Sequence, residues 1–368
     1  VNELGVRAAI VDGTLVAGDV RVEDGRVAEV GLPPAAGATG IAVPGFVDLH
    51  INGFAGVDFF TAGVADFGRV GPALAATGVT SYLPTFVSAP EDACRQALEV
   101  VAGADAGAGP RLLGVHLEGP FISDRWVGAH DPVHIREPDA GLAGRLCDAG
   151  PVRLVTLAPE LPGALELIDA LGERGVVVSC GHSDADAETA HRAFDRGARA
   201  VTHIYNAHRR WQPRDPGLAG AALVRDDVTV QVIVDDVHLA SEAAYAAFLT
   251  ARERFCLVTD AIAAAGIGAS ESRLANQTLR IEDGAARLAD GTLAGSLLTM
   301  DGAVANLVAK GASLPAAVHA ASRAPALLIG RPDLGLIAAG NAADIAVLDD
   351  DLRVLRTLVR GVEIAIPT

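Results

Sequence analysis

Eight short apolar runs, spaced so that a helical segment fits between most neighbours, constrain this chain more than any other feature. They are Pro44 to Asn52, Val79 to Thr85, Leu112 to Glu118, Val152 to Ala158, Val176 to His182, Ala200 to His203, Val228 to Asp235 and Phe255 to Asp260. Between the fifth and sixth, Asp184 to Arg196 carries apolar residues at helical spacing, with Ser183 placed as its cap. Eight parallel strands with intervening helices predict a (β/α)8 TIM-like barrel, and a doubly wound sheet is the alternative.

Outside these runs the texture changes. From Val1 to about Ile41, β-rich stretches such as Ala8 to Val11 and Asp19 to Val22 alternate with glycine turns at Gly13, Gly18 and Gly25. A similar texture returns in Ala343 to Leu348 and Val354 to Val359. The two ends are expected to pair into one small β-sandwich domain, residues 1–43 with 335–368, around a barrel at 44–334. The Ala/Gly tract from Ala102 to Gly109 reads as a helix end and loop. A length of 368 residues, 50% of them hydrophobic, supplies ample core for this architecture.

Charge removes several classes of function. With 46 acidic against 29 basic residues the formal net charge is −17, which argues against nucleic acid or an anionic membrane as partner. Any anionic substrate must then meet a local basic pocket. Cys94, Cys147, Cys180 and Cys256 are far apart and form no CxxC pair, so neither a disulfide framework nor a thiolate zinc site is indicated, and a reducing cytoplasm fits. No apolar span approaches membrane length, and no basic stretch followed by an apolar one opens the chain. The absence of GxxxxGK[ST] and GxSxG motifs where they would be needed gives no support to phosphoryl transfer or serine hydrolysis.

Four of the runs end in residues read as candidates for a metal centre: Glu118 in HLEGPF, His182 in CGHS, His203 in THIYN and Asp260 in TDA. Barrel strand ends converge on one axis, where the chemistry of such folds sits. A single histidine there is more often structural; four ligand types at equivalent places point to a metal centre. Two histidines and a carboxylate form a site with an open position, at which a divalent ion lowers the pKa of water towards roughly 7. Asp260 is the candidate base beside that water, its bland alternative being a helix N-cap before Ala261. Asp48, His50 and Asn52 share a face of the first run; His50 offers a nitrogen to a possible second metal, whereas the Asn52 amide is a poor zinc ligand. One metal per subunit is expected, and zinc, iron, manganese and cobalt all suit this donor set.

Anion recognition has its own candidates. Arg214 lies on a loop beyond the sixth run, with Asn206 and the Ala207 backbone N–H near it in sequence; His238 follows the seventh run and His130 the third. His116 reads as a core residue one layer below Glu118, and His134, His191 and His319 as loop or helix-surface residues, while His208 is left open.

Together these residues resemble the amidohydrolase superfamily and, within it, the N-acetylglucosamine-6-phosphate deacetylases. The resemblance runs through Pro44 to His50, HLEGPF, Gly128-Ala129-His130, Leu157 to Glu160, Gly181-His182-Ser183, Thr202 to Ala207 and Arg214 to Gly220. It continues through Asp235 to His238, Val258 to Ala261, Ala294-Gly295-Ser296, Leu298 to Asp301 and Gly340 to Asp344, covering nearly the whole chain. It implies metal-dependent hydrolysis of an N-acetyl group from an amino-sugar phosphate, with Glu118, His182 and His203 on the metal. It implies that Asp260 takes a proton from the activated water and passes it to the leaving amine. His130 would polarise the acetamido carbonyl and bind the sugar, His238 would contact sugar or phosphate, and Asn206, the Ala207 backbone and Arg214 would hold the 6-phosphate. The arginine of this family reaches a neighbouring subunit's site, so a homodimer is implied.

The chain departs from the family at His50-Ile51-Asn52, intermediate between relatives with two histidines there and none, and at Ala207 to Trp211, where the family commonly continues with Met. The first leaves metal count open and the second leaves sugar preference open. Rival readings are an amidohydrolase of another N-acylated substrate and a non-catalytic binding barrel, which the filled ligand positions disfavour.

Overall fold

A computed structural model describes residues 2–104, 107 and 109–366; the outermost residues of the small domain and part of the tract from Ala102 to Gly109 lie outside the described residues. The apolar runs form eight parallel strands: β1 (Phe46–Ile51), β2 (Val79–Phe86), β3 (Val115–Glu118, preceded by the short piece Arg111–Leu112), β4 (Val152–Leu157), β5 (Val177–Cys180), β6 (Ala200–Val201), β7 (Thr229–Val232) and β8 (Phe255–Leu257). Each pairs with its neighbours in chain order. Beyond β8, a parallel bridge between Ile51 and Ala261 closes the ring, with Asp260 N–H donating to the His50 carbonyl at 2.7 Å and Asn52 N–H to the Ala261 carbonyl at 2.7 Å. The barrel expectation holds, and closure excludes the doubly wound sheet.

The buried closure seam is polar. Asp48 on β1 accepts the Thr259 hydroxyl at 2.6 Å and the His50 N–H at 3.2 Å, so its carboxylate ties the first strand to the segment following the last. Around the ring the helices present apolar faces to the strands, as in Ala164–Glu173, where Leu167, Ile168 and Leu171 are buried. The helix after β5 spans Ala187–Asp195 and is capped by Asp186, which accepts the Thr189 N–H at 2.8 Å. Ser183 is therefore not its cap: its hydroxyl donates to Glu160 at 2.7 Å, which keeps the residue at the barrel mouth.

Strands from both chain ends build the small domain. A six-stranded sheet runs Val362–Glu363, Val354–Val359, Ile345–Leu348, Ile41–Pro44, Ala8–Val11 and Thr14–Ala17. A three-stranded sheet of Asn2–Glu3, Asp19–Glu23 and Arg26–Leu32 accompanies it. Val20, Val22, Val27, Ile345 and Leu358 belong to the core they share. Among the described residues all four cysteines are free, and no helix is long and apolar enough to cross a membrane.

One element has no counterpart in the sequence reading. After β8, the strands Glu271–Leu274, Gln277–Glu282 and Ala285–Arg287 form an antiparallel sheet. It buries Leu274, Leu279 and Ala286 with Val87 and Ile262 of the barrel rim. The Gln277 amide donates to the Ala129 carbonyl at 2.7 Å, joining the sheet to the loop after β3. The signal was present: Asp283-Gly284 between two short strand-forming stretches is a two-residue hairpin turn, and both residues have positive φ.

Asp48 generates a pH test. Burial pushes its carboxyl up to about 6, above its ordinary value, despite the hydrogen bonds from Thr259 and His50. Between the unfolded value and about 6 the native chain then binds more protons than the unfolded one, so this group's contribution to stability falls as pH rises. Asp48→Asn should therefore gain on the wild type by up to about 3 kcal/mol between about pH 4 and pH 6 in urea unfolding. A stability difference that does not change with pH would refute this account of the seam.

Candidate active site at the barrel mouth

The carboxyl ends of β3, β5, β6 and β8 carry the four expected residues to one place. Glu118 is the last residue of β3; His182 and His203 lie two residues beyond β5 and β6, and Asp260 three beyond β8. These last three have left-handed backbones, with φ of 49°, 29° and 51°. Strand alternation therefore breaks at the ligand positions. Such conformations cost roughly 1–3 kcal/mol each and persist where neighbours over-determine them. Here the carbonyls of His182, His203 and Asp260 accept N–H groups of Ser123, Asn206 and Ser296 at 2.9, 3.0 and 2.8 Å. No helix follows Asp260, so it is not an N-cap.

Glu118 is the hub. One carboxylate oxygen lies 3.0 Å from His182 Nε2 and 2.9 Å from His203 Nε2; the other lies 3.5 Å from the Nε2 atoms of both His50 and His130. Two groups have ligand atoms close enough to share an ion: His50, Glu118 and His203, and Glu118, His130 and His182. Hydrogen-bond partners separate these histidines. His182 Nδ1 donates to the Trp126 carbonyl at 2.8 Å, which leaves the Nε2 lone pair free to ligate. His130 Nδ1 instead faces the Ser88 N–H at 3.1 Å, an obligatory donor. Its proton then sits on Nε2, 3.5 Å from Glu118, which makes His130 a donor rather than a ligand.

Electrostatics follow from burial against pairing. Burial pushes the Glu118 carboxyl up, but His50, His130 and His182 outweigh it and hold it well below the ordinary range. Burial likewise raises Asp260, and His50 reverses the effect. His50 shows the converse: burial lowers it, while Glu118 and Asp260 lift it well above the ordinary histidine value. Burial keeps His130 and His203 lowered, which favours the neutral imidazole. Asn52 enters here too, donating its amide N–H to Asp260 at 2.6 Å and so fixing that carboxylate's orientation.

Apart from His50, these groups line a cavity of about 270 Å³, on which Asn206, Ala207 and His238 also open. His238 Nδ1 is paired with Asp235 at 2.7 Å. Arg214 lies on an exposed loop and does not line this cavity in its own chain. His116 is a core residue, as expected, its nitrogens 3.3 Å from the Thr85 hydroxyl and 2.8 Å from that of Thr156. Arg125 and Trp126 were missed: both line the cavity and both are held by Asp184, at 2.6 and 2.9 Å. Among the described residues Arg125 is the one basic side chain, histidine apart, that lines it. Gly128 closes over His182, where an added Cβ would sit 2.9 Å from the ring.

A divalent ion suits this donor set. A carboxylate and two imidazoles meet at hydrogen-bond distance, and His50 Nδ1 and His203 Nδ1 are buried without hydrogen-bond partners. Buried polar atoms left unpaired in one cluster require an ion or water.

Comparison with known proteins gives a consistent set. A family model described as the amidohydrolase family matches residues 41–364. The human N-acetylglucosamine-6-phosphate deacetylase is 40% identical over 343 residues, which cover 87% of this chain and 82% of that one. An N-acetylgalactosamine-6-phosphate deacetylase of Escherichia coli is 34% identical over 359 residues, 95% of each chain. The crystal structure of N-acetyl-D-glucosamine-6-phosphate deacetylase from Mycobacterium smegmatis superposes with a TM-score of 0.92 at 36% identity over 98% of both chains. A mutant of that enzyme in complex with N-acetyl-D-glucosamine-6-phosphate gives 0.91 at 35% identity over 98% of both.

Glu118→Gln removes the charge that two imidazoles share. Elemental analysis of freshly purified variant should find its divalent metal content reduced about tenfold or more relative to the wild type. Equal metal content in the two proteins would remove Glu118 from the centre.

Proposed function

The chain belongs to the amidohydrolase family, and on that premise we propose that its barrel mouth is a one-metal centre hydrolysing the N-acetyl group of N-acetylglucosamine 6-phosphate to glucosamine 6-phosphate and acetate. The observation that carries this reading is the convergence of Glu118, His182 and His203 beside Asp260 on one small cavity. In this reading residues 44–334 form the catalytic barrel and residues 1–43 with 335–368 the small domain.

Glu118, His182 and His203 would hold the ion, which when bound acidifies water and draws charge from the amide carbonyl. Zinc is our first choice, with iron, manganese and cobalt as the other ions that suit these ligands. The Asp260 carboxylate, kept ionised by His50 and oriented by Asn52, accepts the proton of the attacking water. Returned to the nitrogen, the same proton lets the sugar depart as an amine, since an amide anion is a poor leaving group. His130 donates from Nε2 to the acetamido oxygen as negative charge grows there, a neutral donor. His238, its Nδ1 occupied by Asp235, keeps Nε2 for a sugar hydroxyl or the phosphate.

His50 decides the metal count. A second ion beside Glu118 and Asp260 would find His50 as its one further nitrogen, with the Asn52 amide, a poor ligand that already donates to Asp260, beside it. We assign one ion per subunit.

The 6-phosphate meets Asn206, the Ala207 N–H and, in a homodimer, Arg214 of the neighbouring subunit; a cytoplasmic setting suits four free cysteines. The galactosamine relative makes N-acetylgalactosamine 6-phosphate the second substrate to consider. A deacetylation assay across both sugars, with and without phosphate, separates these readings from hydrolysis of other N-acyl substrates.

Two variants test the roles. Asp260→Asn should lower kcat by roughly 10²- to 10⁴-fold with metal content retained, and near-normal turnover would remove Asp260 from the proton path. Arg214→Ala should raise KM roughly 10- to 100-fold for the phosphorylated sugar and leave the unphosphorylated sugar unaffected. Equal loss on both sugars would mean that Arg214 acts on folding or assembly instead of phosphate.

A further inference from the structure

The two histidines read as ligands are not equally supported from behind. His182 has its Nδ1 fixed by the Trp126 carbonyl at 2.8 Å. His203, whose Nε2 points at the same Glu118 oxygen, has a buried Nδ1 with no partner. A ligating imidazole ordinarily donates its second N–H to something, because that bond fixes both tautomer and ring orientation.

His208 is the other half of this observation. It is 2% exposed, and neither ring nitrogen makes a hydrogen bond of good geometry, the Thr202 backbone being the one polar group that acts on the ring as an acceptor. The buried His116 and His130 differ, each being met by a hydroxyl. The His208 ring lies 5.9 Å from the His203 ring, centroid to centroid, with the planes tilted by 42°. Its backbone cannot drift: residue 208 bridges Ser183, the Ser183 N–H donates to the Ala207 carbonyl at 3.2 Å, and the Arg209 N–H donates to the Ser183 carbonyl at 2.8 Å. The imidazole is thus locked beside the turn that carries His182 and against the ring of His203. A neutral imidazole there keeps one lone pair for accepting.

We propose that His208 is a positioning residue for the metal centre, accepting through one bridging water the hydrogen bond that His203 Nδ1 offers on the side away from Glu118. The ring separation is too long for a direct N–H···N bond and suits one intervening water with a bond of about 2.8 Å on each side. The two sets of unmet buried nitrogens answer each other. His208 does not join either group able to share the ion, so its action runs through His203. This inference rests on the reading of His203 as a metal ligand.

The test strips the protein of metal with a chelator and titrates it with zinc in competition with a chromophoric chelator. His208→Met fills the pocket with a flexible apolar side chain that offers the water nothing; His208→Gln restores an acceptor. The Met variant should bind zinc roughly 10- to 100-fold more weakly than the wild type. The Gln variant should recover most of that loss, with the metal-free unfolding midpoints of all three proteins in agreement. Zinc affinity of the Met variant within about threefold of the wild type would overturn the proposal, since a partner of this kind normally matters about tenfold or more. Equal loss in Met and Gln variants, with lowered metal-free midpoints, would overturn it as well by making His208 a packing residue. If the wild type itself bound no zinc, the reading of the metal centre would fall first and this inference with it.

Discussion

The Glu118 carboxylate sits where only 4% of the residue meets solvent, and it is ionised there because imidazole nitrogens surround it at 2.9 to 3.5 Å. A buried charge without partners would neutralise itself, so the histidines are the condition for Glu118 being a carboxylate at all. The dependence runs both ways. His50 is lifted well above its ordinary value by Glu118 and Asp260, while His130 and His203 stay low. One buried anion thus sets His50 apart from His130 and His203, a division that neighbours create and composition cannot.

The barrel meets this electrostatic demand with backbone strain at the strand ends. A regular strand carries side chains to alternate faces, and no alternation brings residues from four strands to one point without adjustment. The left-handed conformations of His182, His203 and Asp260 supply it, each carbonyl being captured by a loop N–H. Those loops then form the cavity wall: Trp126 fixes His182 and Gly128 lies on its ring, while Gln277 of the outer sheet holds Ala129. Ligand geometry and cavity shape are one construction.

That coupling explains what could be read from the sequence. The strands were legible because both faces are buried, which writes a continuous apolar run, and the ligands because each follows such a run. Their tautomers were not, since these depend on the Ser88 N–H and the Trp126 carbonyl, distant in sequence and silent in composition. Asn52 looked like a failed ligand; its function of steering Asp260 exists only once β1 and the end of β8 are neighbours. The outer sheet was missed because it is short and half exposed, so its apolar pattern is weak and only its Asp-Gly turn announced it. Ser183 has the right residue type for a cap, yet Glu160 claims its hydroxyl and the helix begins later.

Charge poses the remaining problem. A phosphate dianion must enter the mouth of a barrel in a chain of net charge −17, past Glu118 and Asp260. Both carboxylates are screened: each leans on His50, and Asp260 also accepts from Asn52, so the field they present to the cavity is that of a compensated cluster. Arg125, the nearest fixed cation on the wall, is itself paired with Asp184. The net charge gives a phosphate no general attraction, so in the proposed function its affinity rests on short-range donors: backbone N–H groups, amides and the proposed arginine of a neighbouring subunit. Recognition built this way is strict about distance and weakly sensitive to overall charge, because donors at hydrogen-bond range act where salt does not screen. The proposed homodimer is then more than a way of burying surface, since among the described residues one subunit alone offers its cavity no unpaired arginine.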